Sequence, residues 1–141
     1  MLLLHARIAT PPWPHPAYMD SSLARHGVRV FELDWTKYDY LPDGEHFTPA
    51  ALRAFVDDLA DVLRDLPKPL LVLSDSTLAY DGSDACRALE ARFAPGAVRV
   101  DAVCGSGFVR GGRDGENFAS RARGVDCECV VVVGGWNDEG V

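Results

Sequence analysis

Short apolar segments alternate with longer amphipathic segments along the chain. The apolar segments have the length of buried strands, and residues 130–133 form a continuous run of valines rather than an apolar–polar alternation. Continuous apolar runs are typical of parallel strands that are covered on both faces. The sequence therefore predicts five strands, at residues 2–8, 28–33, 70–73, 98–103 and 129–133.

The segments between these strands predict helices, and residues 49–66 give the clearest pattern. Thr48 is a suitable N-cap, Pro49 occupies the first helical position, and Pro67 ends the helix. The apolar residues fall on one face at helical spacing; they are Leu52, Phe55, Val56, Leu59, Leu63 and Leu66. Further helices are predicted at residues 18–26, 83–93 and 116–123.

Strands that alternate with helices predict an α/β fold of three layers (α/β/α), in which helices cover both faces of a five-stranded parallel sheet. The length of 141 residues predicts one domain, residues 1–141. In open parallel sheets, ligands bind beyond the carboxyl ends of the strands. Functional side chains are therefore expected directly after the strands.

Composition narrows the classes of function. The formal net charge is -7, which disfavours a nucleic-acid partner because acidic side chains repel phosphate. No window approaches the ~20 apolar residues of a membrane span, and the apolar start is too short for a signal peptide. We therefore expect a cytoplasmic protein with no membrane association. The chain has four cysteines, which are Cys86, Cys104, Cys127 and Cys129. Their spacing is not that of a zinc site, so we expect reduced thiols and no metal. We also expect no cofactor.

The segments after the strands supply the groups that acyl transfer needs. Ser76 follows the third strand, and its hydroxyl becomes a nucleophile when a base removes its proton. His46 can serve as that base, and Asp43, three residues earlier, can orient the imidazole. Gly105 and Asn137 follow the fourth and fifth strands and can donate hydrogen bonds to an oxyanion.

Each of these residues also has an ordinary structural interpretation. A serine after a strand is more often a turn residue or a helix cap, and the glycines more often form turns. Asn137 is also a common turn former, and His46 is also compatible with a plain surface position. The four segments together are less easily explained by chance, and they favour hydrolysis of an ester.

These segments resemble the sequence blocks of the SGNH (GDSL-type) esterase and lipase family. Residues 74–76 resemble its Gly-Asp-Ser block, with serine in place of the glycine. Residues 135–138 match its Gly-x-Asn-Asp block, and residues 43–46 match its Asp-x-x-His block. Gly105 resembles the glycine of the remaining block, and Gly107 is a rival for that position.

The resemblance implies a flavodoxin-like SGNH hydrolase fold and a serine esterase. It assigns Ser76 as the nucleophile, His46 as the base and Asp43 as the orienting acid. The implied oxyanion hole consists of the Ser76 N–H, the Gly105 N–H and the Asn137 amide. Asp75 is expected to support the serine loop through hydrogen bonds, and Trp136 to line the pocket or to pack the end of the sheet.

The order of the blocks differs from that of the family, where the serine block comes first and Asp-x-x-His last. The simplest explanation is circular permutation, and it predicts a sheet in which the strands of this chain lie in the order 4-3-5-1-2. A second explanation is two tandem or swapped units, in which Ser76 of one copy meets His46 of another. The helix that the family places between the asparagine block and the next strand is missing, so we expect a partly bare sheet face and a homodimer.

The predicted function is hydrolysis of small carboxylic esters, acetyl esters among them, through an acyl-enzyme. One alternative is a non-catalytic SGNH-like binding module that keeps the fold without the activity. Another is a flavodoxin-like or receiver-like domain whose matches to the blocks are coincidental.

Overall fold

The computed structural model describes residues 2–8, 29–80, 84–134 and 136–138. For residues 2–8, 29–32 and 136 it describes the backbone alone. Five strands and four α-helices occur in these ranges. Two short 3₁₀ helices, Trp35–Lys37 and Trp136–Asp138, follow the second and fifth strands. In chain order the elements are β1 Leu2–Ile8, β2 Arg29–Leu33, α1 Pro49–Leu63, β3 Leu70–Ser74, α2 Ser76–Ala79, α3 Ala85–Glu90, β4 Val98–Ala102, α4 Phe118–Ala122 and β5 Cys129–Val133.

The strands form a parallel sheet in the order β2-β1-β5-β3-β4. β3 and β5 pair in register from Leu70 opposite Cys129 to Ser74 opposite Val133. Every residue of these two strands is buried. The α/β class and the parallel sheet predicted from the sequence are therefore confirmed.

Helices pack against both faces of the sheet. One face of β3 and β5, which includes Val72 and Val131, packs against the apolar sides of α1 and α3. The other face, which includes Leu73 and Val132, packs against Phe118 of α4. Burial on both faces is the physical reason for the uninterrupted apolar runs in the sequence.

Two helices are shorter than their apolar patterns predict. α1 ends at Leu63 rather than at residue 66, because the chain continues in a tighter turn in which Leu66 N–H donates to Leu63 O at 3.2 Å. Lys68 Nζ donates to Leu63 O at 2.7 Å and to Leu66 O at 2.6 Å, which satisfies carbonyls at the end of the helix. α3 spans Ala85–Glu90 rather than 83–93. The residues after it form tighter turns, with Phe93 N–H donating to Glu90 O at 3.1 Å.

The helix predicted at residues 116–123 is shorter in the structure, where α4 spans Phe118–Ala122 and a capping box fixes its start. The Asn117 side chain accepts from Ser120 N–H at 2.9 Å, and Ser120 Oγ accepts from Asn117 N–H at 3.0 Å. The helix predicted at residues 18–26 lies outside the described residues. The four-residue helix α2 was not predicted. Strand ends differ from the prediction by one residue at β3 and β4, and Val28 is not described.

The four cysteines are free thiols in the structure. Burial raises the pKa of the Cys86 and Cys129 thiols above the ordinary value. Within the described ranges, no helix combines the length and the apolar character needed to cross a membrane.

An aromatic cluster fills the space between the end of β2 and helix α1. Phe47 is its centre, with ring centroids 5.0 Å from Phe55, 5.3 Å from Tyr38, 5.3 Å from Tyr40 and 5.5 Å from Trp35. Such pairs stabilise a protein by about 0.5–1.5 kcal/mol beyond the burial of their area. The cluster therefore fixes the loop that precedes α1 to the body of the protein.

Phe55 is the residue that α1 contributes to the cluster, and its removal should destabilise the protein strongly. Phe55 is fully buried, and Phe55→Ala should lower the free energy of unfolding by about 3–5 kcal/mol. Urea unfolding measures the loss. Val109→Ala is the control, because Val109 is 65% exposed and the change should stay within about 0.5 kcal/mol. Equal effects of the two substitutions would contradict an anchoring role for the cluster.

Candidate active site

Residues 39–48 form a tight loop that presents a histidine. The loop is closed by a hydrogen bond from Leu41 N–H to His46 O at 2.8 Å. Gly44 lies at its tip with φ of 70°, in the left-handed region that glycine adopts without steric cost. Phe47 is buried in the aromatic cluster. The residue beside the histidine is thus fixed by packing, and the imidazole is left at the surface of the core.

Asp43 organises the tip of this loop. Its Oδ1 accepts from the backbone N–H groups of Glu45 at 2.9 Å and His46 at 3.0 Å, and its Oδ2 lies 2.7 Å from His46 Nδ1. The hydrogen bond with the His46 side chain, helped by the two backbone donors, lowers the pKa of Asp43 to about 2. The carboxylate therefore stays ionised near neutral pH and holds a hydrogen on Nδ1.

Ser76 is the first residue of α2, directly after β3. Asp75 caps this helix, and its carboxylate accepts from Thr77 N–H at 2.9 Å. Ser76 Oγ lies 3.1 Å from His46 Nε2, within the 2.6–3.2 Å reach of a general base. With a hydrogen on Nδ1, Nε2 is the acceptor for the serine hydroxyl. The structure thus brings Ser76, His46 and Asp43 together within one chain.

Tyr80 is a further residue of the site that the sequence analysis missed. Its ring stacks on the His46 imidazole, with centroids 4.2 Å apart and planes at 27°. Tyr80 lies four residues after Ser76, which places the two on the same side of a helical turn. That spacing was the available signal, and it is too common to single out a residue by itself.

A buried carboxylate connects the ends of β3 and β5. Asp75 is 1% exposed. Its Oδ1 accepts from Thr77 Oγ1 at 2.7 Å, and its Oδ2 accepts from Asn137 Nδ2 at 3.2 Å. Asn137 Nδ2 also donates to Ser106 O at 2.9 Å. An amide nitrogen carries two hydrogens, so both have acceptors here, and Asn137 joins the serine turn to the loop after β4.

Gly134 provides the space that this arrangement needs. A Cβ at this position would lie about 2.5 Å from Asp75 Oδ2, and the residue has φ of 137°. Only glycine therefore lets the end of β5 approach the buried carboxylate this closely. The Gly-x-Asn-Asp match begins at Gly135, and no pattern in the sequence singles out Gly134 just before it.

The two glycines predicted after β4 have different environments. The Gly107 N–H donates to Arg110 O at 2.9 Å, and a Cβ on Gly107 would collide with the Asp138 carboxylate. That carboxylate accepts from the backbone N–H groups of Val109 at 3.1 Å and Arg110 at 2.8 Å. Gly105 adopts φ of 81°, and among the described residues its N–H has no acceptor.

Among the residues that the structure describes, no group of three or more His, Cys, Asp or Glu side chains is arranged to hold a metal ion. Comparison with protein-family models, with curated protein sequences and with solved structures finds no match to this chain.

The charge state of Asp43 gives a test of the loop geometry. The folded-state pKa of about 2 is lower than the ~3.9 of an ordinary aspartate. The ionised form therefore contributes stability above the ordinary pKa, and this stability is lost as the pH falls through about 2. His46→Phe removes the largest cause, so the pKa of Asp43 should rise, with the two backbone donors keeping it below the ordinary value.

Carboxyl ¹³C chemical shifts followed against pH by NMR measure this change. Ser76→Ala is the control, because Ser76 contacts His46 Nε2 and not the Nδ1 that bonds to Asp43. Removal of the serine hydroxyl should leave the pKa of Asp43 near 2. An identical Asp43 titration in His46→Phe and in the unaltered protein would contradict the assigned hydrogen bond.

Proposed function

We propose that this protein is a serine esterase that hydrolyses small carboxylic esters through an acyl-enzyme on Ser76. The observation that carries the proposal is the continuous hydrogen-bonded line from Ser76 Oγ to His46 Nε2 at 3.1 Å and from His46 Nδ1 to Asp43 Oδ2 at 2.7 Å. A nucleophile, a base and an orienting acid in this order are the parts that activate a serine hydroxyl.

In the acylation step, Ser76 Oγ forms a bond to the ester carbonyl carbon while His46 Nε2 takes the hydroxyl proton. The negatively charged Asp43 stabilises the imidazolium that results. The tetrahedral intermediate collapses as the bond to the alcohol oxygen breaks, and His46 gives its proton to that oxygen. A water molecule then attacks the acyl carbon while His46 takes its proton; the bond from that carbon to Ser76 Oγ breaks, His46 returns the proton to Oγ, and the carboxylic acid leaves.

The backbone N–H groups of Ser76 and Gly105 are the donors that we assign to the oxyanion. Within the described ranges neither has an acceptor, whereas the N–H of the rival Gly107 is bonded to Arg110 O. Asn137 has acceptors for both amide hydrogens, so it donates to an oxyanion only by sharing or releasing one of them. We assign it two roles, bracing the Asp75 turn and completing the oxyanion hole.

We also propose that the fold is a circularly permuted SGNH hydrolase fold. The strand order β2-β1-β5-β3-β4 supports this, because it is the order 4-3-5-1-2 read from the other edge. The short connection from α1 to β3 also supports it, since permutation would join the family's last helix to its first strand. Ser76 and His46 are hydrogen-bonded within one chain, so the proposal does not require two swapped units. The homodimer and the cytoplasmic location remain predictions.

Substitution of the nucleophile tests the proposed activity. Ser76→Ala should abolish turnover of a simple ester such as an acetate, with a loss on the order of 10⁶ in kcat, because no other group on the line can attack the carbonyl. A spectrophotometric ester-hydrolysis assay measures this loss. Ser120→Ala is the matched control, because Ser120 lies in the capping box of α4 and its removal should leave turnover unchanged.

Covalent labelling separates an esterase from a binding module. A fluorophosphonate probe should modify Ser76 of the unaltered protein and of Ser120→Ala, and it should leave Ser76→Ala unmodified, as read by peptide mass spectrometry. A probe that never attaches to Ser76, in a protein that turns over no ester, would contradict the esterase proposal and favour the binding module.

Asn137→Ala tests the two roles assigned to Asn137. Loss of an oxyanion donor should lower kcat by about 10²–10³. Loss of a partner for the buried Asp75 should also lower the free energy of unfolding by about 1–3 kcal/mol. Steady-state kinetics and urea unfolding measure the two effects. An unchanged kcat would remove Asn137 from the oxyanion hole and leave only its bracing role.

A further inference from the structure

A groove of about 570 Å³ opens between helices α1 and α3, directly beside the candidate triad. Leu41 and Phe47 of the histidine loop line it, together with Tyr80. Tyr80 also stacks on the His46 imidazole, so one wall of the groove contacts the proposed base, whereas His46 and Ser76 are not among the residues that line the groove. The volume falls in the range of small-molecule sites in proteins, about 300–1,000 Å³.

The walls of the groove are mainly apolar. Leu52 and Val56 of α1 face Ala85 and Ala88 of α3 across it. Charged side chains occur at its rim, where Arg92 and Asp57 form an ion pair. Arg53 and Asp84 also line the groove, so its two arginines and two aspartates leave it with no net formal charge. The groove therefore suits an uncharged apolar group.

The chemistry of the proposed reaction fixes which half of an ester would enter the groove. His46 must donate a proton to the leaving alcohol oxygen, so that oxygen must lie within hydrogen-bond reach of Nε2. The proposed oxyanion donor Gly105 follows another strand, β4, and the oxyanion and the alcohol oxygen occupy different vertices of the tetrahedral carbon. Because Tyr80 both contacts the His46 ring and lines the groove, the groove lies near the imidazole that must reach the alcohol oxygen.

We propose that the groove between α1 and α3 binds the alcohol half of the substrate, and that the substrates are short-acyl esters of apolar alcohols. This inference rests on the proposed esterase function. The reaction takes one ester and one water to a carboxylic acid and an alcohol. The bond from the carbonyl carbon to the alcohol oxygen breaks, His46 gives that oxygen its proton, and the apolar chain of the alcohol lies against Leu52, Val56 and Ala88.

A series of acetate esters that differ in the alcohol tests the inference. Ethyl, butyl and hexyl acetate have the same acyl group and alcohols of similar acidity, so their intrinsic reactivity is alike. If the alcohol chain enters the groove, kcat/KM should rise roughly fourfold for each buried methylene. Acetate release measures the rate. A parallel series with ethanol held constant, from ethyl acetate to ethyl hexanoate, reports on the acyl side and should show no such rise.

Ala88→Phe places a ring in the groove and should flatten the dependence on alcohol length. Ala88→Leu, a smaller addition, should flatten it partly, and it keeps the test usable if the phenylalanine variant does not fold. Ala54→Phe is the matched control, because Ala54 is on the exposed side of α1 and does not line the groove. This control should keep the full dependence on alcohol length. Far-UV circular dichroism monitors folding of each variant.

The outcomes separate the inference from the function on which it rests. A rise with alcohol length that the Ala88 variants reduce and Ala54→Phe preserves supports the assignment. Labelling of Ser76 and ester turnover without that rise overturn the assignment of the groove and leave the esterase proposal intact. A rise of kcat/KM with alcohol length that the Ala88 variants do not reduce also overturns the assignment of the groove. A rise found only along the acyl series overturns it as well. No labelling and no turnover overturn both proposals.

Discussion

The burial of Phe47 is the interaction on which the candidate site depends. A serine hydroxyl does little without a base, and the proposed base, His46, lies on a loop rather than on a strand or helix. The residue next to His46 packs against four other aromatic rings, so the backbone at the histidine cannot move without opening the core. Asp43 and Tyr80 then fix the imidazole itself, one by a hydrogen bond to Nδ1 and the other by stacking.

The polar half of the site is held by a buried hydrogen-bond network. Asp75, Thr77, Asn137 and the Ser106 carbonyl join the ends of three parallel strands. A carboxylate that is 1% exposed is stable only because it accepts several hydrogen bonds. The network requires a glycine at position 134, because a side chain on Gly134, at the end of β5, would collide with the Asp75 carboxylate. The serine turn is therefore rigid before any substrate binds.

The two halves of the site differ in character, and the difference follows from the fold. The side at β3 and β4 presents the backbone N–H groups of Ser76 and Gly105, which suit a developing negative charge. The side at α1 and α3 presents a groove with apolar walls. An ester has a carbonyl oxygen that becomes charged and an alcohol chain that stays neutral. Under the proposed function, the first side suits the oxyanion and the second suits the alcohol chain.

The amino-acid sequence determined the α/β class, the parallel sheet and the position of the main elements, because buried parallel strands and amphipathic helices leave strong apolar patterns. It also identified Ser76, His46 and Asp43 as residues that share one site, since strand ends converge at one edge of a sheet. Helix ends were predicted less well: α1 passes into a tighter turn after Leu63, and apolar periodicity does not report such a change in hydrogen bonding. Tyr80, Gly134 and the groove depend on contacts between residues distant in the chain, and only the tertiary structure decides which side chains meet there.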